Sequence, residues 1–390
     1  MPHLAEKEYC TGCTACASVC PKGCISMVAD GEGFLIPVVD AQTCVACGMC
    51  EKACPVLQPL SSQYDLPRAY AAYSRDEAVR MESSSGGVFT ELAKAVLKEN
   101  GAVFGAAYDD KFEVTHICVE CESDLAKLRG AKYAQSSLTN VFPEVKARLN
   151  QGQNVLFSGT PCQVGGLKAY LRKDYGNLLT VDFVCHSVPS PMAWKEYVKY
   201  RAQKDSGGSL PEKINLRSKI TGWSRYQYSN VFTYANGKEH AARSGESLYM
   251  KLFVGGYINR KSCETCRFKG YSRVSDLTIG DFWGIWDITP EMDDDKGTSV
   301  VLVQSQQGRQ IIERLEDRLS LKRVTLEDAS RQNGAMLKPM HSNARRTEAL
   351  QMIRNGSMAD CEIWFAERKL TMRQRAGRVI KQILRRGRHV

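Results

Sequence analysis

Two runs of cysteines at the head of this chain have a spacing that only a few kinds of chemistry use. Cys10, Cys13, Cys16 and Cys20 follow C-x2-C-x2-C-x3-C, with Pro21 after the last; Cys44, Cys47, Cys50 and Cys54, followed by Pro55, repeat it. Four thiolates are what a 4Fe-4S cluster needs, and two-residue gaps let a tight loop wrap three iron corners. In paired runs of this kind the fourth cysteine of each serves the other cluster. That assigns Cys10, Cys13, Cys16 and Cys54 to one cluster, and Cys44, Cys47, Cys50 and Cys20 to the other. The bland alternatives are a disulfide framework or zinc. Zinc takes four ligands, whereas each run here carries a third close cysteine and a trailing Cys-Pro. Cys24 lies outside both runs and reads as a small buried filler.

Seven cysteines remain of the sixteen. Cys162 lies in Gly-Thr-Pro-Cys-Gln and Cys185 in Val-Cys-His-Ser-Val-Pro-Ser-Pro, each directly after a strand-like apolar run. Cys263 and Cys266 form a tight C-x2-C. Together they offer four thiolates, which from spacing alone fit a third cluster, a zinc ion or unconnected core residues. Ser83-Ser84-Ser85-Gly86-Gly87 precedes a helical pattern, so it suits either a phosphate cradle or an ordinary N-cap. Arg129-Gly130-Ala131-Lys132-Tyr133 sets two cations beside a glycine and a ring, as a pyrophosphate and a flat ring system would want; its alternative is an exposed loop. His186 and Asp281 are candidates for moving a proton, with structural roles as their alternatives. Cys118, Cys121 and Cys361 read as packing.

The elements that must hold these residues alternate. Residues 55–67 contain three prolines and two serines and read as a linker. Strands are expected over 69–73, 102–108, 113–119, 154–158 and 178–184. Helices are expected over 86–99, 163–172, 192–203, 306–317 and 347–384. Strands alternating with helices favour a mixed α/β body. The fold class is thus α+β to α/β: a small two-cluster domain over 1–58, a body in two parts over 68–150 and 151–330, and a helical basic tail over 331–390. An insertion is expected around 205–208 and 226–236.

Composition sets the outer limits. Hydrophobic content of 43% and charged content of 25% are those of a globular chain. No apolar run approaches the roughly 18 residues that span a bilayer, and the N-terminus lacks the pattern of a secretory signal. A cytoplasmic location is expected. Residues 368–390 supply nine of the +10 net charges and contain no acid. The basic excess belongs to a tail, which argues against a general nucleic-acid binder. Met372, Ala376, Val379, Ile380, Ile383 and Leu384 fall at helical spacing among those cations. The tail therefore suits a solvated terminal helix, or peripheral contact with an anionic inner membrane face or an acidic partner.

The first 54 residues resemble the bacterial-type two-cluster ferredoxins along their whole length. From about Tyr70 to about Val303, the two motif stretches, the Cys162 and Cys185 motifs, the C-x2-C pair and Asp-Leu-Thr-Ile-Gly-Asp-Phe-Trp-Gly occur in one order. That order resembles the coenzyme F420 hydrogenase/dehydrogenase beta subunit family. The resemblance implies a flavin, FAD or FMN, held by Ser84, Ser85, Gly86, Gly87, Arg129, Gly130, Lys132 and Tyr133. It also implies a third 4Fe-4S cluster on Cys162, Cys185, Cys263 and Cys266. Ala131 departs from the serine expected there. Members fused to a ferredoxin domain are associated with polysaccharide synthesis. The expected function is an iron–sulfur flavoprotein oxidoreductase that exchanges electrons with a small organic substrate or a deazaflavin or nicotinamide carrier. The alternative is an electron-transfer subunit that relays electrons to a separate redox partner protein. The substrate, the direction of flow and the oligomeric state are left open.

Overall fold

The computed structural model describes residues 1–61, 66–224 and 227–367; the basic helix expected over 372–384 lies outside them. The N-terminal domain is built from α1 (Ala15–Val19), an antiparallel hairpin of β1 (Ile25–Ala29) and β2 (Leu35–Val39), and α2 (Met49–Lys52). These elements are too short to bury a core of their own. Cys24, Ile25 and Cys50 form its small interior, a size at which metals or other staples normally supply stability.

The body opens with β3 (Arg68–Ser74), α3 (Glu77–Glu82), α4 (Val88–Lys98), β4 (Ala102–Tyr108) and β5 (Val114–Val119). Next come α5 (Val141–Asn150), β6 (Val155–Gly159), α6 (Pro161–Leu171), β7 (Leu178–Phe183) and α7 (Pro191–Ser206). A separate antiparallel sheet of β8 (Lys213–Ser218), β9 (Ser229–Thr233) and β10 (Glu239–Arg243) stands where the insertion was expected. The chain returns to the main sheet with β11 (Leu277–Asp281), β12 (Ser299–Val303) and β13 (Leu319–Val324).

The main sheet has eight strands in the order β13-β3-β12-β11-β7-β6-β4-β5. Its centre, β11-β7-β6-β4, is parallel throughout, and the flanking pairs are antiparallel. Residues alternate faces along each strand. Val103, Leu156, Leu179 and Val181 therefore pack on one side with Val88, Leu92 and Val96 of α4. Phe104, Phe157 and Leu178 pack on the other with Phe142 of α5 and Val164, Leu167 and Leu171 of α6. With both faces covered, a central strand reads as a continuous apolar run; β12, Ser-Val-Val-Leu-Val, is buried at every position. A second core joins Trp194 and Tyr197 of α7 to Phe232 of β9 and to two C-terminal helices, Arg346–Asn355 and Met358–Glu367. Gly356 interrupts the single long helix expected there.

The N-terminal domain is fastened to the body. Its α1 packs on α6. Glu32, in the hairpin turn, receives a bidentate pair from Arg346, with Nη1 2.8 Å from Oε1 and Nη2 2.5 Å from Oε2. Ser190 Oγ donates to the Glu32 carbonyl at 2.5 Å. Arg346 is buried and Glu32 partly hydrated. E32Q leaves that guanidinium without its counter-charge and is expected to cost about 2 kcal/mol, less than the ~3–5 kcal/mol of a fully buried pair because Glu32 is partly hydrated. Thermal melts should drop by several degrees, and limited proteolysis should release the N-terminal domain first.

Candidate functional site

Both cysteine runs turn through left-handed backbone at matching places. Gly12 and Thr14, each with φ 66°, flank Cys13; Ala46 (51°) and Gly48 (69°) flank Cys47. Thr14 and Ala46 hold a conformation that costs an L-residue roughly 1–2 kcal/mol, which persists where the surroundings over-determine it. Cys54 of the second run stands with the first: burial pushes the Cys13 thiol up to about 12 and raises Cys16 further, and Cys10 and Cys54 add to both shifts. Cys20, Cys44, Cys47 and Cys50 line one small pocket. Cys24 lines it too, with its Sγ 3.3 Å from that of Cys20; the hydrogen bond to Cys20 pushes the Cys24 thiol up to about 12.

The body gathers four more thiols. In Gly-Thr-Pro-Cys-Gln, β6 ends at Gly159 and Thr160 caps α6. The Thr160 hydroxyl accepts from the Gln163 amide, and Gln163 Oε1 accepts from the Thr160 amide at 2.9 Å. Pro161 begins the helix without a wasted donor, so Cys162 is delivered in the first turn. Cys185 leaves the end of β7, and β6 and β7 are parallel neighbours, so both thiols emerge at one sheet edge. Burial raises Cys162, with Cys266, Cys185 and Cys13 as further causes. It pushes Cys185 and Cys263 up to about 12, and Cys263 also feels Cys162 and Cys266. A thiol so disfavoured as a free thiolate is deprotonated outright by a coordinating metal. Four soft sulfurs with no competing donors fit an iron–sulfur cluster. Among the described residues, no three His, Cys, Asp or Glu side chains stand at the close spacing of a single-ion site.

The N-terminal sulfurs reach this set through Cys13. A Cβ at Gly166, one turn along α6 from Cys162, would meet Cys13 Cβ at 2.7 Å and Sγ at 2.9 Å. The absence of a side chain there lets the two sulfur sets approach.

Beside the body thiols lies a cavity of about 1800 Å³. The ends of β6, β7 and β11 floor it, with Thr160, His186 and Asp281 exposed to it. One wall carries Ser84, Ser85 and Gly87 at the N-terminus of α4; another carries Arg129, Gly130, Lys132 and Tyr133. Gly86 does not face the cavity. It is wedged against the sheet, and its amide donates to Ser299 Oγ at 3.0 Å. Gly130 adopts φ 82°, and a Cβ there would meet nothing within 4 Å, so this wall stands open to the cavity. Buried polar atoms on the walls lack partners: Ser84 Oγ, Arg129 Nε and His116 Nδ1. Such atoms are costly without a ligand or water to satisfy them. The lining holds six lysines and arginines (Arg129, Lys132, Arg217, Arg243, Lys251 and Lys338) against one carboxylate, Asp281. Among the described residues its chemistry therefore suits an anion, and its serines, glycine and helix N-terminus suit a phosphate. A flavin nucleotide fits.

Several of these residues left no trace in the sequence. Arg217, 3% exposed at its side chain, pairs with Asp281 at 2.8 Å and donates to the Ser84 carbonyl at 3.2 Å. Its guanidinium lies over the Tyr228 ring at 3.9 Å. Burial pushes Asp281 up, and Arg217 pulls it back. Lys219 braces the serine loop by donating to the Ser85 carbonyl at 2.8 Å, and burial lowers it to about 7. His116 stacks on Phe157, donates from Nε2 to the Ser158 carbonyl 2.9 Å away, and is lowered to about 4 by burial. Arg217 lies at the end of β8, Lys219 just after it and His116 on β5, in stretches of no particular motif, and only the fold brings them to the cavity and the serine loop beside it.

The duplicated run of four cysteines at the head of the chain defines an iron–sulfur protein of the electron-transfer type. A 4Fe-4S dicluster domain model matches residues 9–57. Models of the coenzyme F420 hydrogenase/dehydrogenase beta subunit match at 69–142 for the N-terminal part and 152–329 for the C-terminal part. The chain belongs to that family, an oxidoreductase type. It is 24% identical to an F(420)H(2) dehydrogenase subunit of Methanosarcina mazei over 176 residues, 42% of this chain and 49% of that protein. It thus spans about half the length of this relative. It is 36% identical over 66 residues to an iron-sulfur subunit of the CoB--CoM heterodisulfide reductase of Methanocaldococcus jannaschii, 14% of this chain and 10% of that protein. Among solved structures, a chain of the xenon-derivatized F420-reducing NiFe hydrogenase complex from Methanosarcina barkeri is 18% identical. That match has a TM-score of 0.46 and covers 80% of this chain and 94% of the other. Among the described residues no helix is long and apolar enough to cross a membrane.

If the body thiols hold a cluster, anaerobically purified protein carries about twelve irons and C263S about eight, by the four-thiolate rule. Iron content unchanged in C263S would remove Cys263 from the ligand set.

Proposed function

We propose that this chain is an iron–sulfur flavoprotein oxidoreductase. It would pass electrons between 4Fe-4S clusters and a flavin, and so reduce or oxidise a small organic substrate or a deazaflavin or nicotinamide carrier. One observation carries the reading. A single cavity reaches both the phosphate-suited stretches and the sheet edge from which Cys162 and Cys185 emerge.

When bound, a flavin exchanges two electrons with an organic molecule and one at a time with iron–sulfur clusters. The chain's own residues supply the rest. Ser84, Ser85 and the start of α4 would face the phosphates, with Lys132 and Arg129, which pairs with Glu82, as counter-charges. Tyr133, Trp283 and Phe253 offer rings along the cavity. His186, directly after Cys185, faces the same space and is of a type that moves protons near neutral pH. Arg217 keeps the Asp281 carboxylate oriented at the floor. The volume exceeds the ~300–1,000 Å³ of an ordinary ligand site, which leaves room for a second molecule beside the flavin. Cys13 of one N-terminal set approaches α6 beside Cys162, and Cys47 of the other is exposed, which supports a route from the Cys20, Cys44, Cys47 and Cys50 set through the Cys10 set to the body set and the cavity. Electrons from an external carrier would travel that route.

A second reading, a relay to a separate catalytic protein, is favoured by the name of the Methanosarcina mazei relative, which is itself one subunit of a dehydrogenase. Turnover of a small acceptor by the isolated chain supports the first reading; reduction only with a partner present supports the second.

Flavin content tests the core of the proposal. Acid release should yield one flavin per chain, and saturating FAD that leaves no flavin on fully iron-loaded protein would overturn it. K132M should weaken flavin binding about 10–100-fold, the range for one charged hydrogen bond. Burial lowers Lys132 to about 7, so it carries its charge only below that pH in the empty cavity. Affinity for an anionic flavin in the wild type is therefore expected to fall as pH rises through 7. That dependence should be weakened in K132M, the remainder coming from Lys219, which burial also lowers to about 7.

A further inference from the structure

Arg260 is 3% exposed where the N-terminal domain meets the body. Each of its three side-chain nitrogens donates a hydrogen bond. Nε donates to the Cys10 carbonyl at 2.7 Å, Nη2 to the Leu35 carbonyl at 2.9 Å, and Nη1 to Gln135 Oε1 at 2.7 Å. Gln135 closes the arrangement by donating from Nε2 to the Thr11 carbonyl at 2.9 Å. Phe34 covers the guanidinium, 5.3 Å from its ring centre.

Every one of these acceptors is neutral. An arginine cannot shed its proton, and one buried this deeply is normally paired with an acid. The buried arginines Arg201, Arg217, Arg273 and Arg346 all have such an acid. Arg260 has none among the described residues. It also belongs to both sulfur sets. Its side chain holds the Cys10 loop, and its carbonyl accepts from the Cys263 amide at 3.1 Å as it caps the short turn Lys261–Thr265.

We propose that the counter-charge of Arg260 is the pair of iron–sulfur clusters flanking it, and that its fixed cation raises the reduction potential of both. The proposal rests on the cluster assignments above. A cluster gains one negative charge on reduction, and a cation held nearby in a poorly screened interior favours that state. Arg260 makes no hydrogen bond to the loops carrying Cys20, Cys44, Cys47 and Cys50, so the cluster on those four cysteines should be the one whose potential stays in place. Arg260 is a positioning residue, since it touches the ligand loops and not the iron.

The test is an EPR-monitored redox titration of anaerobically purified, full-length wild type, R260Q and R260K. About twelve irons in the wild type establish the clusters themselves; fewer would defeat the assignments, and the proposal with them, before any potential is read. R260Q is expected to shift two of the three midpoint potentials downward and leave the third in place, while R260K stays near wild type. Loss of iron in R260Q but not in R260K likewise supports a required charge. Unchanged potentials in R260Q, an equal shift of all three, or loss of iron in both variants would overturn the proposal.

Discussion

A sulfur that must be ionised to work, yet sits away from water, is the constraint on which this molecule turns. Burial pushes the thiols of Cys13, Cys162, Cys185 and Cys263 well above their ordinary range. Only a bound metal reverses that preference, so metal binding and stability are coupled in such domains. The N-terminal domain makes the point plainly: its hairpin and two single-turn helices enclose almost no apolar interior. What holds it is its sulfur chemistry and its attachment to the body through Glu32, Arg346 and Arg260.

The body answers a different demand, which is to bring separate chemistries to one place. Parallel strands do this without further instruction. Because β6, β7 and β11 run the same way, Thr160, His186 and Asp281 face one cavity, while Cys162 and Cys185 stand beside it. Gly166 then lets the Cys13 loop approach α6. The cavity's surplus of cations over acids suits an anionic ligand.

Local elements were readable because their signals are local. The strand over 102–108 and the helix from Pro161 follow from apolar runs, a threonine cap and a proline at the first helical position. The antiparallel strands Ser299–Val303 and Leu319–Val324 were not anticipated, since a short apolar run has no period to separate strand from helix. Gly86 was grouped with the cavity stretch by its neighbours, but the alternation of the loop turns it to Ser299 instead.

The sequence by itself determined the sulfur chemistry of the N-terminal domain, because cluster ligands there are spaced within one loop and the pattern survives without the fold. It also marked the two loops that face the cavity. Only the tertiary structure decided that Arg217 meets Asp281 across 64 residues, and that Arg260 reaches Cys10 across 250. Such pairings depend on strand order and domain docking, and a buried arginine 250 residues from its acceptor has no periodicity to betray it.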